Sequence, residues 1–287
     1  ALTSVTTNAG GSLVMNGGAV TTTGAQSYGE AITLGANTIL DAGTGNITLG
    51  STVNDATNGT HSLTLNSTGV TTLQAAVGNT AALSSVTTNA GGTLVMNGGA
   101  VTTTGAQSYG EATTLGANTT LDAGAGNIIF SATVNDATSG THSLTLNSTG
   151  VTTFEAAVGN TAALSSVTTN ASGTLVMNGG SVTTTGDQTY GEDITLGANT
   201  TLTAGAGNIT FSATVNDATS GTHSLTLNST GVTTLQAAVG NAAALSSVTT
   251  NAGGTLVLNG GSVTTTGAQI YGEATTLGAN TTLDAGA

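Results

Sequence analysis

The chain has 287 residues with 44 glycines, 13 acidic residues and a formal net charge of −13, and it contains no lysine, arginine, proline, cysteine or tryptophan. Without cationic side chains it cannot neutralise phosphates, so the composition excludes nucleic-acid binding, P-loop chemistry and Schiff-base catalysis. The lack of cysteine also excludes disulfides and thiolate metal sites. A hydrophobic share of 37% still provides apolar surface for a core, so the low charge does not indicate disorder.

The strongest pattern in the chain is a tandem repeat with a period of 81 residues. The residues that mark this period are Asn8, Asn89, Asn170 and Asn251, together with Tyr28, Tyr109, Tyr190 and Tyr271. The chain holds about 3.5 nearly identical copies without insertions, and both of its ends fall inside a copy. We therefore expect residues 1–287 to form one continuous domain that is cut from a longer array.

Within one repeat, strand-like runs alternate with glycine-containing turns. They group into four consecutive segments of similar pattern, which we call lines. The lines are Asn127–Gly150, Val151–Ser172, Gly173–Asp187 and Gln188–Gly207, with lengths of 24, 22, 15 and 20 residues. Each line predicts two strands and two turns, and the lines resemble one another. Such similarity inside a repeat is typical of a solenoid with one line per coil.

Apolar residues occupy every second position of these runs, as a strand with one buried face requires. The positions that this alternation turns inward are Ile209, Phe211, Ala213 and Val215 in one strand, Leu225 and Leu227 in the next, and Phe154, Ala156 and Val158 in another. In Tyr190–Leu196 the same alternation would turn Glu192 inward, so we expect a bulge at Gly191 to re-phase the strand.

These patterns predict an all-β fold, namely a right-handed parallel β-helix with about four coils per 81-residue repeat. Stacking at about 4.8 Å would give about 19 Å per repeat and, for about fourteen coils, a rod of about 68 Å. Asn147 and Asn170 are expected to stack in amide ladders, and so narrow a core is not expected to accept an inward charge. The alternative is a string of immunoglobulin-like sandwiches, which usually carry Trp or Cys in the core and Pro in linkers.

Three runs resemble a known family: LSSVTTNAGGTLVMNGG, SVTTTGDQTYGEDITLGANTTLTAG and HSLTLNSTGVTTLQAAVGN. They are similar to the long repeat regions of filamentous-haemagglutinin-like proteins, which are giant bacterial surface proteins exported by two-partner secretion; autotransporter adhesins share the architecture. The resemblance implies an extracellular β-helical stalk on a bacterial cell surface that serves adhesion, aggregation or filament formation. It carries no site residue over, because such stalk repeats have no fixed site motif.

One turn combines the residue types of a hydrolytic triad. Its three copies are Asp55–His61–Ser62, Asp136–His142–Ser143 and Asp217–His223–Ser224. Because His and Ser are consecutive at a strand start, their side chains should diverge, and we expect a wide turn in which Asp hydrogen-bonds the backbone. Equivalent His residues about 19 Å apart cannot share a metal ion, so the pattern does not favour a metal site either.

The Tyr-Gly-Glu element is the one regularly repeated aromatic, at Tyr28–Glu30, Tyr109–Glu111, Tyr190–Glu192 and Tyr271–Glu273. We expect each ring to pack over a turn. The alternative is that it contacts a glycan on the flank of the solenoid. Paired carboxylates occur once, at Glu192 and Asp193, so the repeat does not predict glycoside cleavage. Sequons such as those at Asn147 and Asn199 leave glycosylation open.

Together these features predict a non-enzymatic structural segment with no catalytic residue, cofactor, metal or small-molecule substrate. They leave open end-to-end or lateral self-association into filaments, and a glycan or protein target on a cell surface. Threonine-rich runs such as VTTTG and NTTLD suggest ice binding as an alternative. Ice binding would need one threonine column in strict register from coil to coil, and the unequal lengths of the lines speak against such a column.

Overall fold

The computed structural model describes residues 1–89, 91–170, 172–251 and 253–286, and in these residues all regular structure is β. Ala171, inside the second predicted line, and Ala287, at the end of the predicted domain, lie outside the described residues. No helix in the described ranges has the length and apolar character that a membrane span needs.

The strands are short and follow one another closely. Those of the first half are β1 (Val5–Thr7), β2 (Ser12–Met15), β3 (Ala19–Thr21), β4 (Gln26–Tyr28), β5 (Ala31–Leu34), β6 (Thr38–Asp41), β7 (Ile47–Leu49), β8 (Val53–Asp55), β9 (Ser62–Asn66), β10 (Val70–Leu73), β11 (Ser85–Thr88), β12 (Thr93–Met96), β13 (Ala100–Thr102), β14 (Gln107–Tyr109), β15 (Ala112–Leu115), β16 (Thr119–Asp122), β17 (Ile128–Phe130) and β18 (Val134–Asp136). Those of the second half are β19 (Leu144–Asn147), β20 (Val151–Phe154), β21 (Val167–Thr169), β22 (Thr174–Met177), β23 (Ser181–Thr183), β24 (Gln188–Tyr190), β25 (Asp193–Leu196), β26 (Thr200–Gly205), β27 (Ile209–Phe211), β28 (Val215–Asp217), β29 (Ser224–Ser229), β30 (Val232–Leu235), β31 (Ser247–Thr250), β32 (Thr255–Leu258), β33 (Ser262–Thr264), β34 (Gln269–Tyr271), β35 (Ala274–Leu277) and β36 (Thr282–Asp284).

The strands stack in parallel into three sheets, one for each side of the coil, which we call faces 1, 2 and 3. Face 1 runs from β1 through β4, β7, β10, β12, β15 and β18, and continues from β23 through β26, β29, β31 and β34. Face 2 runs from β2 through β5 and β8 and continues from β13 to β35, while face 3 runs from β3 to β28 and continues with β33 and β36. At the gap in each face a single valine bridges the turns above and below it: Val158 on face 1, Val77 on face 2 and Val239 on face 3. Each face therefore has 13 levels, and the solenoid has 13 turns.

This arrangement confirms the predicted parallel β-helix and excludes the immunoglobulin-like alternative, whose sheets are antiparallel. Its right-handed sense stays a prediction, which follows the general preference of parallel crossovers for that hand. Each coil has three strands, where the sequence predicted two. Strands on adjacent faces are joined by short segments, which we call corners. The alternation of apolar residues continues across them, so a corner of two residues is not visible as a turn in the sequence.

The predicted count of about four coils per repeat becomes 3⅔ coils when the strand positions are followed around the three faces. Three of the predicted lines fill all three faces, whereas Gly173–Asp187 contains only β22 and β23. Each repeat is one face short of four whole coils, so in the direction of the chain it begins one face back from the previous one: Gln26 lies on face 1, Gln107 on face 3 and Gln188 on face 2. At about 4.8 Å per turn, a repeat advances about 18 Å and the 13 turns span about 62 Å.

The interior is one continuous core of alternating strand residues. Seven of the positions predicted to point inward are fully buried, which confirms them: Phe154, Val158, Ile209, Phe211, Val215, Leu225 and Leu227. Ala156 and Ala213 are only half-buried. Ala213 lies at a corner, because the predicted strand Ile209–Val215 is in fact two strands, β27 and β28, on adjacent faces.

The predicted bulge at Gly191 is wrong, and the ionisable residue that it was expected to turn outward lies inside the core. β24 ends at Tyr190 and β25 begins at Asp193 on the next face, so Gly191 and Glu192 form a corner. No re-phasing occurs, and Glu192 stays inside with 3% of its surface exposed.

Asparagine side chains join the coils, but among the described residues Asn147 and Asn170 are not bonded to each other in the predicted amide ladder. The Oδ1 atom of Asn170 accepts the backbone N–H of Ser148 at 3.3 Å, and that of Asn127 accepts the N–H of Val151 at 2.8 Å. Corner N–H groups lack a strand partner, and a short amide side chain from the adjoining coil satisfies them. The same contact recurs at Asn37, Asn46, Asn89, Asn118, Asn199, Asn208 and Asn251.

Candidate functional site

The Asp–His–Ser turn, which contains the residue types of a hydrolytic triad, forms a corner of the solenoid. A single aspartate carboxylate holds this corner together. The loop between β18 and β19 wraps around Asp136, whose side chain has no exposed surface. Its Oδ2 atom accepts the backbone N–H groups of Thr141 and His142, both at 2.8 Å, and its Oδ1 atom accepts that of Thr138 at 3.2 Å. The Nδ1 atom of His142 lies 2.6 Å from Oδ1. The predicted turn, in which Asp binds the backbone, is thereby confirmed.

This corner recurs once per repeat, each time on a different edge of the solenoid. Asp55 and His61 join faces 2 and 3, Asp136 and His142 join faces 1 and 2, and Asp217 and His223 join faces 3 and 1. The rotation follows from the 3⅔ coils of each repeat. Among the described residues no group of three or more His, Cys, Asp or Glu side chains is placed to hold a metal ion.

Burial and hydrogen bonding oppose each other at these aspartates. Burial alone would raise the pKa of Asp136, but the hydrogen bonds from the His142 backbone and ring and from the Thr141 and Thr138 backbones hold the pKa below its ordinary value. Asp55 and Asp217 have the same balance. All three carboxyl groups are therefore ionised at neutral pH, and each stabilises its corner as a fixed negative charge.

The corner supplies the Asp–His half of a triad without its nucleophile. The backbone N–H of Ser143 donates to the Oδ1 atom of Asn118 at 3.0 Å. In the part of the chain that the structure describes, no hydrogen bond joins the Ser143 hydroxyl to His142. The imidazole is about one-fifth exposed at the edge of the solenoid, so the arrangement can cap a turn and present a ring nitrogen to solvent.

Asp136→Asn is expected to destabilise the chain by about 2–3 kcal/mol, because the new amide NH₂ would face backbone donors at one carboxylate position. The substitution also changes the dependence on pH. The folded pKa of Asp136 is lowered, so its contribution is present above the ordinary pKa and is lost as pH falls through the folded value.

Urea unfolding at a series of pH values from about 2 to about 7, the range in which carboxyl groups titrate, measures both the loss of stability and its dependence on pH. Asp122→Asn is the matched control, since Asp122 makes one exposed contact, with the Gly124 N–H at 3.1 Å, and its loss should cost no more than about 0.5 kcal/mol. Equal losses in the two variants would show that the corner does not depend on the Asp136 charge.

The repeated tyrosine is buried in the core at Tyr28, Tyr109 and Tyr190 and packs against the core as a partly buried residue at Tyr271, which confirms packing as its role. The three buried rings are not available for the alternative, a glycan contact on the flank. Tyr109 has no exposed surface, and its hydroxyl donates to Oε1 of the buried Gln107 at 2.8 Å. Gln107 in turn donates from Nε2 to the backbone oxygens of Val101 at 3.1 Å and Asp122 at 2.8 Å. Burial raises the pKa of the Tyr109 phenol, so it stays neutral. This Gln–Tyr pair was not predicted, although Gln precedes Tyr by two residues in every copy.

Glu192 and Asp193 do not face each other across a cleft. Glu192 is enclosed in the core, whereas Asp193 is exposed and accepts the backbone N–H of Thr214 at 2.9 Å and its hydroxyl at 2.7 Å. The sequons stay a prediction: Asn147 is half-buried, and Asn199 is exposed but engaged with the Ser224 N–H at 2.9 Å.

Face 2 carries an outward column of threonines, which we call the threonine rank. Its members are successive backbone partners in six consecutive turns: Thr120, Thr145, Thr168, Thr189, Thr210 and Thr234. The expectation that unequal coil lengths prevent such a column is wrong, because the corners absorb the differences and the strands stay in register. Neighbouring members are about 4.8 Å apart along the rod.

No family model, no curated protein and no solved structure matches this chain. The fold and the contacts within it are therefore the basis for any statement about function.

Proposed function

We propose that this chain is a non-enzymatic structural repeat segment of an extracellular bacterial adhesin or surface filament, in which it acts as a stiff stalk or spacer. The observation that carries the proposal is the unbroken stack of 13 parallel turns around one core. Bending such a stack would separate hydrogen-bonded strands on one face and compress them on the opposite face. Repeat number then sets length, at about 18 Å per copy.

The charge pattern supports a position outside the cell, where the surface of the rod is exposed. Carboxylates that remain exposed, among them Glu155, Asp187 and Asp193, and the lack of any cationic side chain keep the surface of a long rod negative, which opposes side-by-side association. A chain without Lys or Arg also offers trypsin-like proteases no cleavage site, which suits an exposed extracellular position. The proposed adhesive target is a glycan or protein on a cell surface, with end-to-end joining as the mode of self-association.

Chains with added or deleted 81-residue copies test the spacer role. Small-angle scattering should give a rod whose length changes by about 18 Å per copy and whose cross-section stays constant. Beads that carry the chain should bind host or bacterial cells if the segment is itself adhesive. A length that does not follow copy number would contradict the spacer role, and a lack of bead binding would confine adhesion to other parts of the protein.

The threonine rank favours a second candidate, a surface that binds ice. Six hydroxyl and methyl groups at a constant spacing form a regular row that could order water. The test is thermal hysteresis of the unsubstituted chain, of Thr189→Tyr on the rank, and of Ser108→Tyr on face 3 as control. Hysteresis that is lost only in Thr189→Tyr would support this function, and no hysteresis in the unsubstituted chain would dismiss it.

A further inference from the structure

Three glutamates of the Tyr-Gly-Glu element place their carboxyl groups inside the solenoid. Glu111 and Glu192 are 2% and 3% exposed, and Glu273 is half-buried as a residue, but its carboxyl oxygens are enclosed. Within the described residues, neither oxygen of any of the three has a hydrogen-bond partner. Each lies at a corner, where the chain leaves one face for the next, so the carboxyl points into the space between stacked corners.

The groups that face these carboxyls are hydroxyls. Thr88 from β11 and Thr71 from β10 face Glu111, Thr169 from β21 faces Glu192, and Thr250 from β31 faces Glu273. Thr71 is itself fully buried, and its hydroxyl has no partner among the described residues. None of these facing groups carries a charge or titrates near neutral pH.

The composition leaves such a carboxyl without a cationic partner anywhere in the chain. Lys and Arg are absent, and the three histidines are bonded to Asp55, Asp136 and Asp217. An ionised carboxylate that is buried without a partner or hydrogen bonds costs several kcal/mol. A proton removes that cost and needs no additional space, whereas a metal ion would need several further oxygen ligands.

We propose that Glu111, Glu192 and Glu273, which belong to three of the four copies of the Tyr-Gly-Glu element, are internal proton-binding sites, and that each is a neutral carboxylic acid in the folded solenoid. The acid proton keeps each carboxyl uncharged at a position where neither a cation nor a hydrogen bond offsets a charge. Removal of this proton at higher pH leaves a bare charge between two turns and loosens the stack at that corner. The solenoid is therefore more stable in mildly acidic than in alkaline solution.

The direction of the effect follows from the folded and unfolded proton affinities. Burial raises the pKa of Glu192 to about 7, and it raises those of Glu111 and Glu273 as well. Because the folded state holds the proton more tightly, stability is fully present below the ordinary pKa of a glutamate. It is lost as pH rises through the folded value, which is opposite to the behaviour of the corner aspartates.

Glu192→Gln tests the proposal, because Gln resembles the protonated acid in shape and cannot ionise. We expect the unfolding equilibrium constant of the variant to equal that of the unsubstituted chain near pH 4 and to be about 100-fold lower at pH 8. Glu155→Gln is the control, since Glu155 is exposed and bonded to Asn178 Nδ2 at 2.9 Å. It should show no such divergence between pH 4 and pH 8.

Direct titration of the glutamate carboxyls tests the proposal even if Glu192→Gln folds poorly. Carbon-13 NMR of the glutamate side-chain carboxyls in the unsubstituted chain should show at least one group that titrates near pH 7, well above the pKa of an ordinary glutamate. Titration of all folded glutamates near their ordinary pKa would overturn the proposal. So would a stability at pH 8 that depends on sodium rather than tetramethylammonium, since the site would then hold a metal cation in place of the proton.

Discussion

Replacing Phe130 with alanine is expected to destabilise the solenoid by about 3–5 kcal/mol, the usual cost of removing a buried aromatic ring. Phe130 is 1% exposed and lies between two other rings, with centroids 5.1 Å from Tyr109 and 5.9 Å from Phe154. The substitution removes both contacts and leaves a cavity that the strands of three successive turns cannot close without losing register. Urea unfolding followed by circular dichroism measures the loss.

Ile129→Ala is the matched control for this substitution. Ile129 is the neighbouring residue on the same strand, but it points outward and is half-buried between Ser108 and Thr153, its backbone partners on adjacent turns. Its truncation should cost no more than about 1 kcal/mol. If both variants lost the same stability, the assignment of inward and outward positions on β17 would be wrong.

Replacing Gly179 with valine is expected to cost at least about 3 kcal/mol, at the upper end for overpacking, because the obstacle is backbone and cannot rotate away. A Cβ atom at Gly179 would overlap the Ala156 carbonyl group of the preceding turn. The backbone N–H of Gly179 also donates to the Phe154 oxygen at 2.9 Å, so the corner cannot move outward without losing this bond. Hydrogen exchange should show increased opening at the corner between β22 and β23.

The first repeat provides a control in the same sequence context. Gly17 is the equivalent of Gly179, but a Cβ atom there would have no heavy atom within 4 Å. Gly17→Val should change the stability by no more than about 0.5 kcal/mol. An equal loss in the two variants would mean that valine is disfavoured by the local conformation and not by close stacking of the turns.

Much of this fold can be predicted from the sequence, because the 81-residue period and the alternation of apolar residues reflect stacking directly. Phe211, Leu225 and Leu227 are inside because alternate strand residues face the core. The corners are harder to predict. Gly191 and Glu192 turn the chain by a whole face without interrupting the alternation, so three strands per coil appear as two.

The internal polar groups escaped prediction for a different reason. An inward Glu192 was not predicted because a glutamate was counted as a charge, which a narrow core excludes; a protonated carboxyl carries no charge and satisfies that rule. The buried Gln107 was missed because its partners, the Tyr109 hydroxyl and two backbone oxygens, come together only when adjacent coils are stacked. The corner role of Asp136 was predictable, since its backbone partners lie within six residues of it in the chain.

The central feature of this solenoid is its 3⅔ coils per repeat, which distribute equivalent residues over three faces. Helical reconstruction from electron cryomicroscopy of a long recombinant array measures this directly. We expect a strand spacing of about 4.8 Å along the axis and a symmetry step of about 18 Å per repeat, accompanied by a rotation of about one-third of a turn. A step of about 19 Å without that rotation would mean four whole coils per repeat, and globular beads along the array would contradict the solenoid itself.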